Sequence, residues 1–303
     1  MIAKLFIERK FAEYYAKSKI PLPREFRRRE FAFVPLASLP DFVMHRHLSF
    51  RTEEEFKAYV LKNVPAHVYY SSAYYERPDA EKMEAKGWLG ADLIFDIDAD
   101  HLPVKSRSWE ASLKLAKREL KKLLVILRKD FGIRDEDIEV YFSGSRGYHV
   151  HVHSEEFLTL GSAERREIVD YISIVAPDLR YNSNVSERAN AYAARYGKSV
   201  EEAIERLRCH VDTPVTADVK RLIRLPGSLH GKTGLMVMKV EDVDAFDPLS
   251  DAVVFGDEVV AVRLLKKVRL RLRDFEIRGV AGETVKVPEY AAVFLLCRGL
   301  ATY

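Results

Sequence analysis

Apolar residues recur along this chain with two periods, one typical of helices and one typical of strands. The longest helical pattern covers residues 108–132 and ends at Gly132, a residue type that often terminates helices. A second helix is predicted at 49–64, where Thr52 and Glu55 have the spacing of a capping box. The stripe that defines the first of these helices consists of Leu113, Ala116, Leu120, Leu124 and Leu127.

Strands are predicted where apolar and polar residues alternate, or where a short apolar run lies between turn residues. These segments are 66–75, 91–98, 137–144, 148–154, 214–225 and 235–240. The stretch 155–208 is rich in Ala, Arg and Glu, and a capping box at Ser199 and Glu202 predicts helices there. We therefore expect an α+β (mixed α/β) fold of mixed sheets flanked by helices. Residues 1–154 and 209–303 would form the main domain, with 155–208 as an inserted helical subdomain.

The composition is that of a folded protein with a mild charge. The 303 residues are 48% hydrophobic and carry a formal net charge of +3, which alone does not indicate a nucleic-acid partner. Basic residues concentrate at 27–29 and within 262–278. For the second cluster, a solvated face and a surface that binds a nucleic-acid backbone are equally good interpretations.

Cysteine usage and the first residues indicate the compartment. Cys209 and Cys297 stand alone, without the paired spacing of a disulfide framework or a zinc site. The first residues lack the apolar length of a signal peptide, and no run approaches the ~20 apolar residues of a membrane span. We expect a soluble, cytoplasmic protein that does not span a membrane.

The segment LIFDIDADH (93–101) passes from apolar residues into carboxylates at every second position. In a strand these carboxylates, among them Asp96 and Asp98, point to the same face. Two ionised carboxylates about 5 Å apart repel by roughly 3 kcal/mol at an effective dielectric near 20. A divalent cation would compensate this repulsion, and Mg²⁺ or Mn²⁺ fits because both take carboxylate oxygens and complete their shell with waters and phosphates. The alternative is an ordinary acidic strand end at the surface.

A glycine-rich turn, FSGSRGYHVHV (142–152), is the second segment with candidate chemistry. Gly144 and Gly147 permit a tight turn whose backbone N–H groups can bind an anion. Two alternatives are a plain hairpin and a metal site of the three alternating histidines that begin at His149. The side chains that would complete a triphosphate cradle are Ser143, Arg146 and His149.

The third segment, TADVKRLIRLPGSLHGKTG (216–234), places a single acid, Asp218, among basic residues. The turn at 226–227 would bring Arg224 and His230 toward each other. We interpret the segment as a third metal ligand followed by phosphate contacts, with a solvated basic turn as the alternative. An acidic pair, an anion-binding turn and a basic loop are together what nucleotidyl transfer requires.

Three motifs, LIFDIDAD, SGSRGYHVHV and DVKRLIRLPGSLHGKTG, resemble in this order the catalytic small subunit of archaeal and eukaryotic DNA primase. REFAFV (29–34) and VYYSSAYYERP (68–78) resemble other segments of that family, and VPEYAAVFLLCRGLA (287–301) resembles its archaeal branch. The resemblance implies that Asp96, Asp98 and Asp218 bind the catalytic metals, and that Glu30 is catalytic. It implies that the nucleotide phosphates are bound by Ser143, Arg146, His149, Arg224, His230 and Arg46.

The resemblance also implies an activity and partners. The protein would be a nucleotidyltransferase that uses Mg²⁺ or Mn²⁺ to synthesise short RNA primers, or DNA primers, on single-stranded DNA for replication. It would take nucleoside triphosphates as substrates and form a heterodimer with a large iron–sulfur subunit. The basic section near the C-terminus is a candidate for sequence-independent contacts with the nucleic-acid backbone.

The chain departs from the family pattern at two places. Members commonly carry a Cys/His zinc knob after the acidic strand, but 99–113 contains no cysteine, so we expect no structural zinc. The glycine turn also contains one extra residue, Ser145. Three alternatives stay open: a repair or translesion polymerase of the same superfamily, a DxD phosphatase, and a non-catalytic nucleic-acid-binding subunit. The phosphatase usually has Thr or Val where this chain has Asp100.

Overall fold

The computed structural model describes residues 2–104, 106, 108–174 and 183–303. The helices are α1 (Ile2–Lys17), α2 (Glu53–Asn63), α3 (Trp109–Lys129), α4 (Glu155–Leu158), α5 (Ser162–Ser173), α6 (Ser183–Tyr196), α7 (Val200–Leu207), α8 (Thr213–Ala217), α9 (Pro248–Asp251) and α10 (Glu289–Cys297). The strands are β1 (Phe31–Pro35), β2 (His45–Leu48), β3 (Pro65–Ser71), β4 (Ala73–Tyr75), β5 (Trp88–Ala91), β6 (Leu93–Asp98), β7 (Ile138–Phe142), β8 (Gly147–Val152), β9 (Leu222–Arg224), β10 (Met238–Lys239), β11 (Val259–Leu264), β12 (Val268–Leu272), β13 (Phe275–Gly279), β14 (Thr284–Pro288) and β15 (Ala301–Thr302). This mixture confirms the α+β class that the sequence predicts.

The chain divides into two compact units. The first unit contains Met1–Gly90, Val140–Ser145 and Lys220–Tyr303, and the second contains Ala91–Glu139 and Arg146–Val219. These boundaries differ from the predicted ones, because the second unit joins β6, α3 and β8 to the helices between 155 and 207. An inserted helical subdomain at 155–208 therefore stays a prediction, and its residues 175–182 lie outside the described residues.

The first unit is built around an antiparallel sheet with the strand order β2-β1-β3-β9. Strand β1 is buried along four of its five residues, and aromatic rings from α2 and from the preceding loop pack against it. The contacts of Phe31 with Phe50 and Phe56 exemplify this core. In the same unit β11 pairs with β14 and β15, and the largely buried α10 contacts α1.

The second unit is organised by the antiparallel pair of β6 and β8, on which α3 packs. Helix α8 packs against β6, and α5 packs against α8. The fully buried guanidinium of Arg165 donates hydrogen bonds to the backbone oxygens of Ala91 and Asp92, at 2.7 and 2.9 Å. These bonds satisfy backbone acceptors between β5 and β6, and they fix the chain where β6 begins.

Several predicted elements are confirmed. Helices α2 and α3 occupy the predicted stretches, and the side chains of Thr52 and Ser108 accept the N-terminal backbone N–H groups. The predicted strand at 214–225 is wrong in its first part, because 213–217 is the short helix α8 and only β9 is extended. Among the helices that the structure describes, none has the length and apolar character needed to cross a membrane.

Candidate active site

The acidic strand end is held rigidly by its apolar neighbours. Along β6 every residue is buried except Asp96 and Asp98, which are half-buried. The backbone N–H of Asp212 donates to the backbone oxygen of Asp96 at 2.8 Å. The N–H of Asp100 donates to the Oδ1 atom of Asp98 at 2.9 Å. The two carboxylates are therefore positioned by a buried strand, with only their polar ends near solvent.

His149 lies directly beside the first carboxylate. It faces Asp96 across the antiparallel pair of β6 and β8, and its Nε2 atom is 3.6 Å from Oδ1 of Asp96. Only 2% of the residue is exposed. The structure therefore brings together two candidate site residues, the carboxylate of Asp96 and the imidazole of His149.

Gly147 allows β8 to approach the acidic strand closely. It pairs with Asp98, and a β-carbon at this position would lie 2.2 Å from the backbone oxygen of Ile97. No side chain fits at that distance, so this end of the strand pair requires glycine.

Arg146 lies beside the acidic segment but has a partner of its own. Its guanidinium forms an ion pair with Asp100 and lies 5.1 Å from the ring centroid of Trp109. Its backbone oxygen accepts a hydrogen bond from the N–H of Ala99 at 3.2 Å. The predicted phosphate contact by Arg146 therefore requires exchange of the Asp100 carboxylate for a phosphate, which stays a prediction.

Asp218 immediately follows α8, the short helix that packs against β6. Its side chain is exposed, and its N–H donates to the backbone oxygen of Pro214 at 3.2 Å. Across residues 2–104, 106, 108–174 and 183–303, no group of three or more His, Cys, Asp or Glu side chains is placed to hold a metal ion. The role of Asp218 as a third ligand stays a prediction.

The alternating histidines, two on β8 and His153 directly after it, have different neighbours. His153 contacts two acids, with Nδ1 3.6 Å from Asp92 and Nε2 2.9 Å from Glu139. Burial opposes protonation of His153, but its hydrogen bonds and charge interactions with Asp92 and Glu139 prevail and raise its pKa. A shared metal site of the three histidines finds no support in the described part of the chain.

Other predicted site residues, on the turn at Gly144 and on the basic loop, lie in the first unit. Gly144 has φ +80°, and a β-carbon there would lie 2.7 Å from Cβ of His230. The hydroxyl of Thr233 donates to the backbone oxygen of Gly144 at 2.6 Å, and the adjacent Ser143 is buried. The turn that begins at Ser143 and the loop of His230 are therefore packed directly together, as a shared phosphate site requires.

His230 and Arg224 have well-defined surroundings. His230 is almost fully buried, and the backbone N–H of Lys232 donates to its Nδ1 at 3.3 Å. Burial and the nearby positive charge of Arg224 hold the pKa of His230 well below its usual range. The guanidinium of Arg224 lies 5.4 Å from the ring centroid of Tyr69. His230 is therefore neutral near pH 7, with its proton on Nε2.

Glu30 is the centre of a buried ionic cluster. Its carboxylate is fully buried and accepts hydrogen bonds from Nε of Arg46 at 2.9 Å and from the N–H of His47 at 3.2 Å. The buried Nζ of Lys86 lies 3.5 Å from the same carboxylate and also donates to the backbone oxygen of Pro78. Arg46, in contrast, is exposed. Sequence analysis missed Lys86, which follows no recognisable motif.

Comparisons with known proteins indicate the family of this chain. The profile of the DNA primase small subunit family matches residues 95–242, which include the acidic strand, the glycine turn and the basic loop. The DNA primase small subunit of Archaeoglobus fulgidus is 57% identical, with 100% of this chain and 99% of that protein covered. The same protein from Methanosarcina barkeri is 38% identical, with 98% and 96% covered. A solved structure titled polymerase domain from Mycobacterium tuberculosis ligase D in complex with DNA covers 80% of this chain and 83% of its own, at 15% identity and a TM-score of 0.46.

The family profile and the DNA primase small subunits that this chain resembles place it among the nucleotidyltransferases. The 57% identity over essentially the whole of both chains then narrows this class of enzyme to the DNA primase small subunits. The chain belongs to the DNA primase small subunit family and is a catalytic subunit of DNA primase.

Proposed function

We propose that the protein synthesises short RNA primers, or DNA primers, on single-stranded DNA from nucleoside triphosphates, with a divalent metal ion. The observation that carries the proposal is the pair of half-buried carboxylates, Asp96 and Asp98, with His149 against the first of them. A protein that only bound nucleic acid would gain nothing from negative charge at this position, because phosphates repel it.

The metal would be held by Asp96 and Asp98, with Asp218 as a third ligand. The donor set fits, because Mg²⁺ and Mn²⁺ prefer oxygen ligands and commonly use one or two carboxylates together with substrate phosphates. When bound, the ion lowers the pKa of the attacking 3′-hydroxyl and offsets the charge that develops on the α-phosphate. The rigid strand keeps both carboxylates at a fixed spacing for this purpose.

Phosphate binding is assigned to Ser143, Arg146, His149, Arg224 and His230. As a neutral imidazole with its proton on Nε2, His230 donates one hydrogen bond and contributes no full charge. Arg224 supplies a full positive charge and a planar set of donors that suits phosphate oxygens.

Glu30 is assigned a positioning role. Its carboxylate is fully buried and occupied by Arg46, so we infer that it orients this guanidinium toward the nucleotide and does not touch the reacting atoms. The predicted catalytic role of Glu30 would thus be exercised through Arg46.

The proposal also includes a single-stranded template, nucleoside triphosphates and a large partner subunit with an iron–sulfur cluster. The protein would act in the cytoplasm.

The purified chain should be incubated with single-stranded DNA, nucleoside triphosphates and either Mg²⁺ or Mn²⁺, with and without a supplied primer. We expect short oligonucleotides under both conditions. Products only when a primer is supplied would instead indicate the repair or translesion polymerase, and no products in either condition would contradict the proposal.

The ion pair of Arg146 with Asp100 leads to a specific prediction. Both side chains are partly exposed, so the pair contributes only about 0–1 kcal/mol, and a phosphate can replace the carboxylate easily. Replacing Asp100 with Asn removes the competitor, and we expect the KM for the nucleoside triphosphate to fall by up to about fivefold, equivalent to about 1 kcal/mol. Steady-state kinetics at low salt would measure this. A rise in KM would show that Asp100 itself helps to bind the nucleotide.

A further inference from the structure

His67 presents an unusual burial in the first unit. It lies on β3, only 1% of it is exposed, and neither ring nitrogen has a hydrogen-bond partner. An unsatisfied buried polar atom is costly to the folded state, and an apolar ring of similar size would avoid that cost. The fold thus retains an imidazole that it does not itself use.

His67 lies next to a residue assigned to phosphate binding, His230. Its ring centroid is 4.8 Å from that of His230, with the two rings nearly perpendicular. Burial first, and then the charges of Arg224 and Lys232, hold the pKa of His67 well below its usual range. The ring is therefore a neutral hydrogen-bond donor within a cationic cluster, which suits a polyphosphate.

The backbone of Gly231 packs closely against the ring of His67. A β-carbon at Gly231 would lie 3.2 Å from Nε2 of His67 and 2.7 Å from Cβ of Ala66. Any side chain at 231 would crowd this nitrogen. The backbone of the basic loop, which carries His230 and Lys232, thus passes close to Nε2 of His67.

An exposed aromatic residue covers the other part of the ring. Phe42 has its ring centroid 5.4 Å from that of His67, and it is 37% exposed. Its φ of 55° is a left-handed conformation that bulky residues rarely adopt. A shift of this surface residue would relieve the conformation and open a path to His67.

We propose that His67 is a further nucleotide-binding residue, which donates a hydrogen bond to the triphosphate of the incoming nucleotide when Phe42 moves aside. The inference rests on the proposed function. It extends the phosphate site by a residue that lies outside the basic loop and the glycine turn, on a strand of the central sheet of the first unit.

The test compares His67→Phe with the wild-type protein. Phe keeps the ring packing and removes the unsatisfied nitrogens, so the melting temperature of the nucleotide-free protein should rise. The KM for the nucleoside triphosphate should increase by about tenfold or more, the value of a hydrogen bond to a charged group, with a smaller change in kcat. His45→Phe, the same substitution at an exposed position on β2, is the control and should leave KM unchanged.

A different pattern would overturn the inference. A nucleotide KM and a nucleotide-induced thermal shift equal to those of wild type would show that His67 does not bind the substrate. A lower melting temperature together with lost binding would show a structural role only. If the wild-type protein itself showed no nucleotide binding, that result would instead overturn the proposed function.

A second measurement does not depend on the folding of the Phe variant. In wild-type protein labelled with ¹⁵N-histidine, the side-chain nitrogen resonances of His67, assigned with His67→Gln, should shift when nucleoside triphosphate is added. The Gln variant keeps a donor and should retain more affinity than His67→Phe if it folds. Resonances that do not move at saturating nucleotide would overturn the proposal.

Discussion

Replacement of Asp96 with Asn should lower primer synthesis by at least about a thousandfold, because several kcal/mol of charge stabilisation depend on a metal ion bound by carboxylates. Asn is nearly the same size and keeps an oxygen, but it lacks the charge that attracts a divalent cation. The fold should persist, since the strand that carries Asp96 is held by its buried apolar residues. Oligonucleotide synthesis at saturating nucleotide would measure the loss of activity. The thermal shift caused by Mn²⁺ would measure the loss of metal binding.

The matched control for this experiment is Asp100→Asn. It removes the same charge from the same acidic segment, in the turn that follows β6, but from a side chain that pairs with Arg146. We expect nearly full activity and a preserved Mn²⁺-induced shift. Comparable losses in both variants would mean that the general negative potential of the segment matters and that Asp96 has no specific role as a ligand.

Local physics explains which elements the sequence predicts well. Helix α3 has a continuous apolar stripe, a capping serine at Ser108 and a glycine just beyond its end, and each of these signals acts on the residues next to it. The acidic strand is equally local, because an apolar run followed by alternating carboxylates fits only an extended segment whose end is polar. Such elements are predictable without knowledge of the rest of the chain.

Helix α8 shows how a local signal can be misinterpreted. The apolar and β-branched residues around Val215 resemble a strand, but Asp212 followed by Pro214 is a helix-start signal. The helix ends directly before Asp218, so its presence changes where that carboxylate is placed. Greater weight on the capping residues would have predicted it.

Other features of the site depend on contacts between distant segments. The pairing of Arg146 with Asp100 joins residues 46 positions apart, and the burial of Glu30 depends on Lys86 from another part of the chain. The unsatisfied ring of His67 also cannot be predicted from the sequence, because histidine is an ordinary residue in an alternating strand. The motifs are enough to identify the candidate residues, but the side chains that contact them are identified only in the three-dimensional structure.

Removing the charge of Glu30 should destabilise the protein by about 3 kcal/mol or more, because an ion pair broken inside the protein leaves an uncompensated buried charge. In Glu30→Gln the fully buried Lys86 loses its counter-charge, and burial already lowers the pKa of this lysine. Chemical denaturation of the variant and the wild type would give the difference in the free energy of unfolding. An unchanged free energy would mean that water or another group compensates Lys86.

The stability effect can be separated from the effect on catalysis by a second substitution. In Glu30→Gln with Lys86→Met both buried charges are gone, and an uncharged side chain of similar length fills the position of the lysine. Replacement of a buried ion pair by well-packed apolar groups is often neutral or stabilising, so most of the lost stability should return. If the double variant is as stable as the wild type but less active, the lower activity reflects the loss of the Glu30 carboxylate itself.

Whether that carboxylate acts through Arg46 is decided by a double-mutant cycle. Glu30→Gln alone should lower kcat/KM by about tenfold to a hundredfold, the value of a charged hydrogen bond that orients the guanidinium. Once Arg46 is replaced with Ala, the same Glu30 substitution should have little further effect, because the group that it orients is absent. Additive losses would instead assign Glu30 a direct part in the chemistry, although its carboxylate is fully buried in the nucleotide-free protein.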